Sequence, residues 1–204
     1  MKEFTVDPDA SLMLRAGKGD RKAFEELVLK YQKSIINTAY RYTGNPSVAE
    51  DLAQEVFIRV FRAASQYKPS ARFSTWLFTI VRNTCSNYRQ REGRLDHRTS
   101  TDLDLSLTLK EEESPESLLS RRQTEIAVQQ AVKKLPESLK LPLILNQFNQ
   151  MSYEEIAKVM KISLTAVKVR IHRAKQTLAE RLLPPAEPEG KEQSVTRRTF
   201  RGLK

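Results

Sequence analysis

Residues 152–182, SYEEIAKVMKISLTAVKVRIHRAKQTLAERL, predict two short helices joined by a tight turn. Ser152 and Glu155 have the spacing of a capping box, so the first helix should begin there. Ser163 is a candidate N-cap for the second helix. After it, one apolar stripe follows at helical spacing, formed by Val167, Ile171, Ala174 and Leu178. The segment therefore has the pattern of a helix-turn-helix.

The second of these helices carries most of the segment's positive charge on the side away from its apolar stripe. We call its outward side chains the recognition face: Thr165, Lys168, Val169, Arg170, His172, Arg173 and Lys175. Such a layout suits a helix in the DNA major groove, where contacts to base edges specify the sequence and contacts to phosphates position the protein. An ordinary charged surface helix is the alternative interpretation.

Composition favours a polyanionic partner and a helical fold. The 204 residues carry 35 Lys and Arg against 25 Asp and Glu, a net charge of +10, which favours nucleic acid or an anionic membrane surface. The 6 glycines and the scarcity of alternating polar and apolar runs argue against a β protein. We expect an all-α protein with small hydrophobic cores.

Several kinds of protein are disfavoured by the same composition. No apolar run is long enough to span a bilayer, and the N-terminal segment lacks the apolar core of a signal peptide. The single cysteine permits no internal disulfide, and it forms no plausible zinc site with the two histidines. We expect a cytoplasmic protein without direct membrane insertion, metal or cofactor.

The chain divides into two helical blocks. The first covers residues 7–92 and the second residues 124–183. Between them, residues 93–123 read as a flexible acidic linker, and residues 184–204 as a disordered tail. Expected N-caps in the first block are Asp7, Asp20, Ser47 (in a capping box with Glu50) and Ser74. In the second block, Pro142 is expected in the first turn of a helix, where a missing N–H costs little.

The helix predicted to start near Ser47 has an unusual outward face. Opposite a broad apolar arc that includes Phe61 lie Asp51, Gln54, Glu55 and Ile58, which we call the acidic face. Like charges at i and i+4 cost a few tenths of a kcal/mol, and a cationic partner surface would reverse that sign. The alternatives are a solvated face with Glu55 paired to Arg59, and a metal site in a nucleic-acid enzyme. The second alternative lacks further convergent acids, a phosphate-binding glycine loop and a catalytic histidine.

The next segment, residues 67–91, mixes aromatic and basic side chains. Its candidate nucleic-acid contacts are Lys68, Arg72, Phe73, Trp76, Asn83, Asn87 and Arg91. Trp76, Asn83 and Asn87 share one line of the predicted helix, where an indole can stack on an unpaired base beside two amides. Such stacking contributes about 1–3 kcal/mol per base and requires an open duplex. In the alternative interpretation, Trp76 and the phenylalanines are core residues, which is our expectation for Phe78.

Three separated motifs in this order resemble one bacterial family. AEDLAQEVFIRVFRA (49–63), FSTWLFTIVRN (73–83) and the helix-turn-helix segments SYEEIAKVMKIS (152–163) and VKVRIHRAK (167–175) are similar to the extracytoplasmic-function group of RNA polymerase sigma factors. The resemblance covers roughly residues 10–182. It implies two helical domains and no enzymatic activity. The first domain would bind the polymerase core and the −10 promoter element, and the second would bind the −35 element.

The resemblance also implies a role for each set of candidate residues. The acidic face would dock on the largest catalytic subunits of the polymerase core. The aromatic and basic set of residues 67–91 would bind and melt −10 DNA, and the recognition face would read −35 DNA. An anti-sigma factor is an implied further partner. Where the family often has a turn glycine, this chain has Lys161, and Val169 replaces a small polar residue. An autonomous helix-turn-helix regulator that binds duplex DNA is the alternative function.

Overall fold

The computed structural model describes residues 7–92 and 115–182, and for residues 115–122 the backbone alone. Every regular element in these ranges is a helix, which confirms the all-α prediction. The α-helices are α1 Pro8–Ala16, α2 Arg21–Thr43, α3 Pro46–Ala63, α4 Phe73–Glu92, α5 Pro115–Lys133, α6 Glu137–Asn149, α7 Tyr153–Met160 and α8 Leu164–Leu182. A short 3₁₀ helix, Ala64–Gln66, follows α3. The predicted tail lies outside the described residues, as does most of the predicted linker.

The first block is organised around α2, which packs against α1, α3 and α4. Asp20 caps α2 as predicted, since its Oδ1 accepts the Ala23 N–H at 3.1 Å. Gly44 ends α2 with a φ of 73°, a left-handed conformation that glycine adopts without strain. At the end of α1, Gly17 approaches the Ala64 carbonyl so closely that a Cβ would lie 2.4 Å from its oxygen. The core of this block includes Leu27, Ile35, Val56, Phe73, Leu77 and Val81.

Two predicted caps of this block are wrong. Helix α3 begins at Pro46, and its N-cap is Asn45, whose Oδ1 accepts the Val48 N–H at 3.2 Å. Proline at the first helical position has the φ that a helix needs, so α3 starts before Ser47 can cap it. Helix α4 begins at Phe73 itself, which leaves Ser74 inside the helix.

The N-terminal end of α4 is capped from a distant part of the chain. The Phe73 N–H donates to Asp7 Oδ2 at 2.6 Å, while Asp7 Oδ1 accepts the Asp9 N–H at 3.1 Å. One carboxylate thus caps α1, as predicted, and also α4, which begins 66 residues later. Because the helix dipole favours anions at helix N-termini, the Asp7 carboxylate stabilises the starts of both α1 and α4.

We expect Asp7→Ala to lower the free energy of unfolding by about 1–3 kcal/mol, because it removes two caps and leaves the Phe73 N–H unpaired. Urea unfolding followed by circular dichroism measures this. Asp7→Asn, which keeps one acceptor, should lose less. Equal stability of Asp7→Ala and the unchanged protein would contradict the double-cap assignment.

The second block consists of α5 to α8, and α8 packs against the other three helices. Helix α5 begins at Pro115, inside the segment that we assigned to the linker, so residues 115–123 are helical. Pro142 is not in the first turn of α6. The helix starts at Glu137, directly after Pro136, and Pro142 lies buried in its interior. Burial of the consecutive residues 140–145 outweighs the local cost of the missing N–H.

Two side-chain-bearing residues of this block adopt the left-handed conformation, Gln150 with a φ of 52° and Lys161 with a φ of 55°. They are the C-caps of α6 and α7. For Lys161 this shows that the position where the family often has a turn glycine does adopt a positive φ. For Gln150 no local sequence signal indicated it.

We expect Lys161→Gly and Gln150→Gly each to raise the free energy of unfolding by about 0.5–1 kcal/mol, because glycine adopts positive φ without steric strain. Thermal and urea unfolding measure the gain. Lys175→Gly, at an exposed helical position of α8, is the control and should instead lower stability by about 1 kcal/mol. If all three glycines destabilised the protein, the backbone at 150 and 161 would not be strained.

The two blocks pack together, with α2 against α5 and α6 and α4 against α7. One hydrophobic cluster runs through both, from Ala10 and Met13 in α1 to Ile171 and Ala174 in α8. The buried Gln129 side chain of α5 donates to the carbonyls of Tyr40 and Arg41 at 3.1 and 3.3 Å, near the end of α2. Helix α2 is therefore shared between the blocks.

In the described residues, no helix is long and apolar enough to cross a membrane. Cys85 is buried in α4, and burial raises the pKa of its thiol to about 12. The thiol is therefore protonated at neutral pH and packs as a small apolar group.

Candidate interaction surfaces

The acidic face of α3 lies at the surface of the first block. Asp51, Gln54 and Ile58 are exposed, and Glu55 is half-buried. The Glu55 carboxylate pairs with Arg59 Nε at 2.7 Å, so one of the two acids already has a cationic neighbour. Asp51 makes no ion pair in the described part of the chain, and Ile58 is 45% exposed. The face thus combines an unpaired carboxylate with exposed apolar surface.

Phe61, assigned to the apolar arc of α3 by the sequence pattern, does not lie in the core. It is 59% exposed and packs edge-to-face on Phe24 of α2 at a centroid distance of 5.1 Å. Because it follows Ile58 by three residues, it lies next to Ile58 on the helix surface. The apolar part of the acidic face is therefore larger than the sequence analysis indicated.

The aromatic residues of the 67–91 segment form a cluster, which also includes Tyr31 of α2. Tyr67 contacts Trp76 at a centroid distance of 4.9 Å, and Phe73 contacts Trp76 at 5.7 Å and Tyr31 at 5.5 Å. Phe73 is only 1% exposed, so this conformation does not present it to DNA, and its position is that of a core residue. Trp76 is half-buried and packs against Tyr67 and Phe73. Phe78 is buried, as predicted.

The polar members of the same set lie at the surface. Lys68, Arg72, Asn83, Asn87 and Arg91 are all exposed. Arg72 is the one that contacts the second block, because its Nη1 lies 3.3 Å from Glu155 Oε1 of α7. Glu155 also accepts the Ser152 N–H at 2.9 Å in the predicted capping box, which is present. No local pattern predicts the Arg72–Glu155 pair, which joins residues 83 positions apart.

The helix-turn-helix has the predicted geometry. Ser163 caps α8 by accepting the Ala166 N–H at 3.2 Å. The inward stripe is buried at Val167, Ile171 and Ala174. On the opposite side, six of the seven residues of the recognition face are exposed, and Arg170 is half-buried. Val169 is 43% exposed, which makes it available for contact with a thymine methyl group.

Comparison with known families and proteins matches both blocks. Sigma-70 region 2 matches residues 27–95, and Sigma-70, region 4 matches residues 125–178. The RNA polymerase sigma-H factor of Pseudomonas aeruginosa is 37% identical over 186 residues, which cover 88% of this chain and 96% of that protein. The ECF RNA polymerase sigma-E factor of Escherichia coli (strain K12) is 33% identical over 182 residues, with 86% and 95% covered.

Two solved structures share the fold. CnrH, in complex with the cytosolic domain of CnrY, has a TM-score of 0.64 and 24% identity, covering 84% of this chain and 95% of that one. The sigma factor RpoE of Bartonella quintana, in complex with the anti-sigma factor NepR, has a TM-score of 0.60 and 21% identity, with 79% and 97% covered. Both conserve the arrangement of helices rather than the sequence. With two region matches in order and relatives aligned over nearly their whole length, the chain belongs to the extracytoplasmic-function group of sigma-70-type RNA polymerase sigma factors.

Proposed function

We propose that this chain is a dissociable subunit that gives RNA polymerase its promoter specificity and melts the −10 element. The observation that carries the proposal is the exposed recognition face of α8 in a chain whose two blocks match sigma regions 2 and 4. In this role the protein performs no bond chemistry. It contributes binding free energy through contacts with polymerase, duplex DNA and separated strands.

The acidic face of α3 is the proposed contact with the largest catalytic subunits of the polymerase core. Asp51 supplies an unpaired charge, Gln54 a hydrogen-bonding group, and Ile58 apolar area. Charge complementarity of this kind speeds association and rejects wrong partners. We add Phe61 to this surface because it is exposed beside Ile58.

The proposed DNA contacts fall into two classes. On α8, Lys168, Arg170 and Lys175 would bind phosphates and fix register, while Arg173 and His172 would read base edges in the −35 duplex. On α4, Asn83 and Asn87 would hydrogen-bond bases of the opened −10 strand, and Trp76 would stack on one of them. Lys68, Arg72 and Arg91 would hold its phosphates. Phe73 supports Trp76 from the core instead of touching DNA.

α7 packs on α4 and Glu155 engages Arg72, so separation of the blocks would free Arg72 and the covered side of α4 for DNA. We propose that polymerase binding drives this separation. Energy transfer between dyes on cysteines introduced at the exposed positions Lys22 and Gln176 would report the separation. The native Cys85 is buried, so the dyes should react with the introduced cysteines. Transfer should fall when core polymerase is added. An unchanged value would contradict the proposal.

Run-off transcription with purified core polymerase and a promoter library tests the function directly. The protein should direct initiation at a subset of sequences that share −35 and −10 elements, and core enzyme alone should not. The same start sites with and without the protein would exclude a sigma function. Because polymerase and chromosomal DNA lie in the bacterial cytoplasm, we expect the protein to act there. An anti-sigma protein that holds the blocks is its proposed regulator.

A further inference from the structure

An open cleft of about 370 Å³ lies where the end of α6 rests on α2, and neither proposed DNA surface includes it. Its α2 wall is one helical stripe, formed by Lys30, Lys33, Ser34, Asn37, Thr38 and Arg41. Phe148 and Asn149 of α6 form the other wall. The volume falls in the range of small-molecule sites. The cleft exists only while the two blocks are packed, because each contributes one wall.

The cleft has an excess of positive charge. Lys30 is neutralised by Asp9, whose carboxylate oxygens lie 2.5 and 2.7 Å from its Nζ. In the described part of the chain, Lys33 and Arg41 make no ion pair. The carbonyl end of α6 contributes about half a negative charge, and the exposed Glu125 also acts on Arg41, but together they remain below the charge of the two cations. The local field therefore favours an anion.

Arg41 is a half-buried cation that makes no ion pair in the described residues, and the nearby exposed carboxylate of Glu125 only partly favours its charged form. Its guanidinium lies 3.6 Å from the centroid of the Phe148 ring, which fixes its position across the gap between the blocks. Burial lowers its pKa from the usual value, which reflects the cost of desolvating the charge. A bound anion would offset this cost through charge-assisted hydrogen bonds.

Neutral donors are also available in the cleft. Asn149 Nδ2 donates to Ser34 Oγ at 2.7 Å, and Thr38 Oγ1 lies 3.0 Å from Asn149 Oδ1. This network holds the two walls together. In this network the Ser34 hydroxyl oxygen accepts a hydrogen bond. The Ser34 O–H group itself donates to no acceptor among the described residues. The Asn37 amide, on the same stripe, makes no hydrogen bond in those residues.

We propose that this cleft binds a polyphosphate anion, either free or as part of a nucleotide. Lys33 and Arg41 supply the charge, and Ser34 and Asn37 supply neutral hydrogen bonds. A ligand that needs both walls stabilises the packed arrangement by mass action. Taken with the proposed function, on which this consequence alone rests, the ligand competes with polymerase, because polymerase binding is proposed to separate the blocks.

Calorimetric titration of the full chain with inorganic pyrophosphate, and separately with adenosine triphosphate, tests the site without polymerase. We expect saturable one-to-one binding, weakened by about tenfold or more in Lys33→Gln with Arg41→Gln. Lys18→Gln with Lys22→Gln removes the same charge from exposed positions outside the cleft and should leave binding intact. Equal binding of both probes identifies a phosphate site, whereas tighter binding of the nucleotide adds a base contact. Either result supports the proposal.

Absence of saturable binding, or equal weakening by the two double variants, would overturn the site and leave the sigma function untouched. Phe148→Ala provides a second check, because it removes part of the α6 wall without changing charge. It should weaken pyrophosphate binding if both blocks form the site. In an anisotropy assay of core binding, pyrophosphate should weaken binding of the unchanged chain and not of the Lys33 and Arg41 variant. A failure of this last assay alone would count against the competition with polymerase.

Discussion

The double substitution Asp51→Lys with Glu55→Lys should abolish binding to the polymerase core. It replaces two negative charges of the acidic face by positive ones, so a cationic partner surface meets repulsion where it met attraction. Like charges brought together in an interface cost several kcal/mol, which predicts a loss of affinity of at least about a hundredfold. Anisotropy titration of the labelled protein with purified core enzyme measures it.

The fold should survive this change. Asp51 is exposed, and the Glu55–Arg59 pair is partly exposed, so its loss costs about 0–1 kcal/mol of stability. Glu180→Lys, in the exposed end of α8, changes the net charge by as much as either single substitution and is the matched control. If Glu180→Lys weakened core binding as much as Asp51→Lys alone, net charge and not the acidic face would be responsible.

Alanine substitutions distinguish the contribution of the apolar part of this surface from that of its charge. Ile58→Ala and Phe61→Ala remove exposed side chains without changing charge. We expect each to weaken core binding by increasing the dissociation rate, whereas the charge reversals should also slow association. An effect of Ile58→Ala without one of Phe61→Ala would restrict the surface to the residues that the sequence pattern indicated.

Local signals in the sequence were sufficient for most helices. Asp20, Ser152 and Ser163 cap helices where the spacing placed them, and the α8 stripe is buried at Val167, Ile171 and Ala174. These features depend on residues within one or two turns of each other. Helix starts were mistaken where two local signals competed, as at Asn45 and Ser47.

Contacts between distant residues could not be derived from local patterns. Asp7 caps α4, and Gln129 and Asn149 bind α2, through pairs separated by 66 to 115 positions. The same limit applies to the candidate sites. Helical period placed Phe61 in an apolar arc, although only the packing of Phe24 decides how much of it remains exposed. The sequence pattern groups Phe73 with its basic neighbours, whereas the aromatic cluster buries it.

Substitutions on α8 should divide its contacts into those that read sequence and those that bind charge. Arg173→Ala should cost about 1–3 kcal/mol at one −35 base pair, because it removes hydrogen bonds to a base edge. This is roughly a five- to 150-fold change in binding of the preferred promoter. Binding of promoters that already differ at that position should change much less. Binding of the holoenzyme to a library in which every −35 position is varied measures how far the base preference at that position is reduced.

Lys168→Ala is the matched comparison, since it removes one exposed cation from the same helix. A lysine that contacts a phosphate releases counterions whatever the DNA sequence, so its loss should weaken binding to all promoters about equally. The slope of log affinity against log salt concentration should become smaller by about one. Both variants should bind core polymerase normally, because α3 is unchanged. If Arg173→Ala also weakened binding to every promoter by the same factor, α8 would contribute charge without reading bases. Sequence selection would then have to come from the −10 contacts of α4.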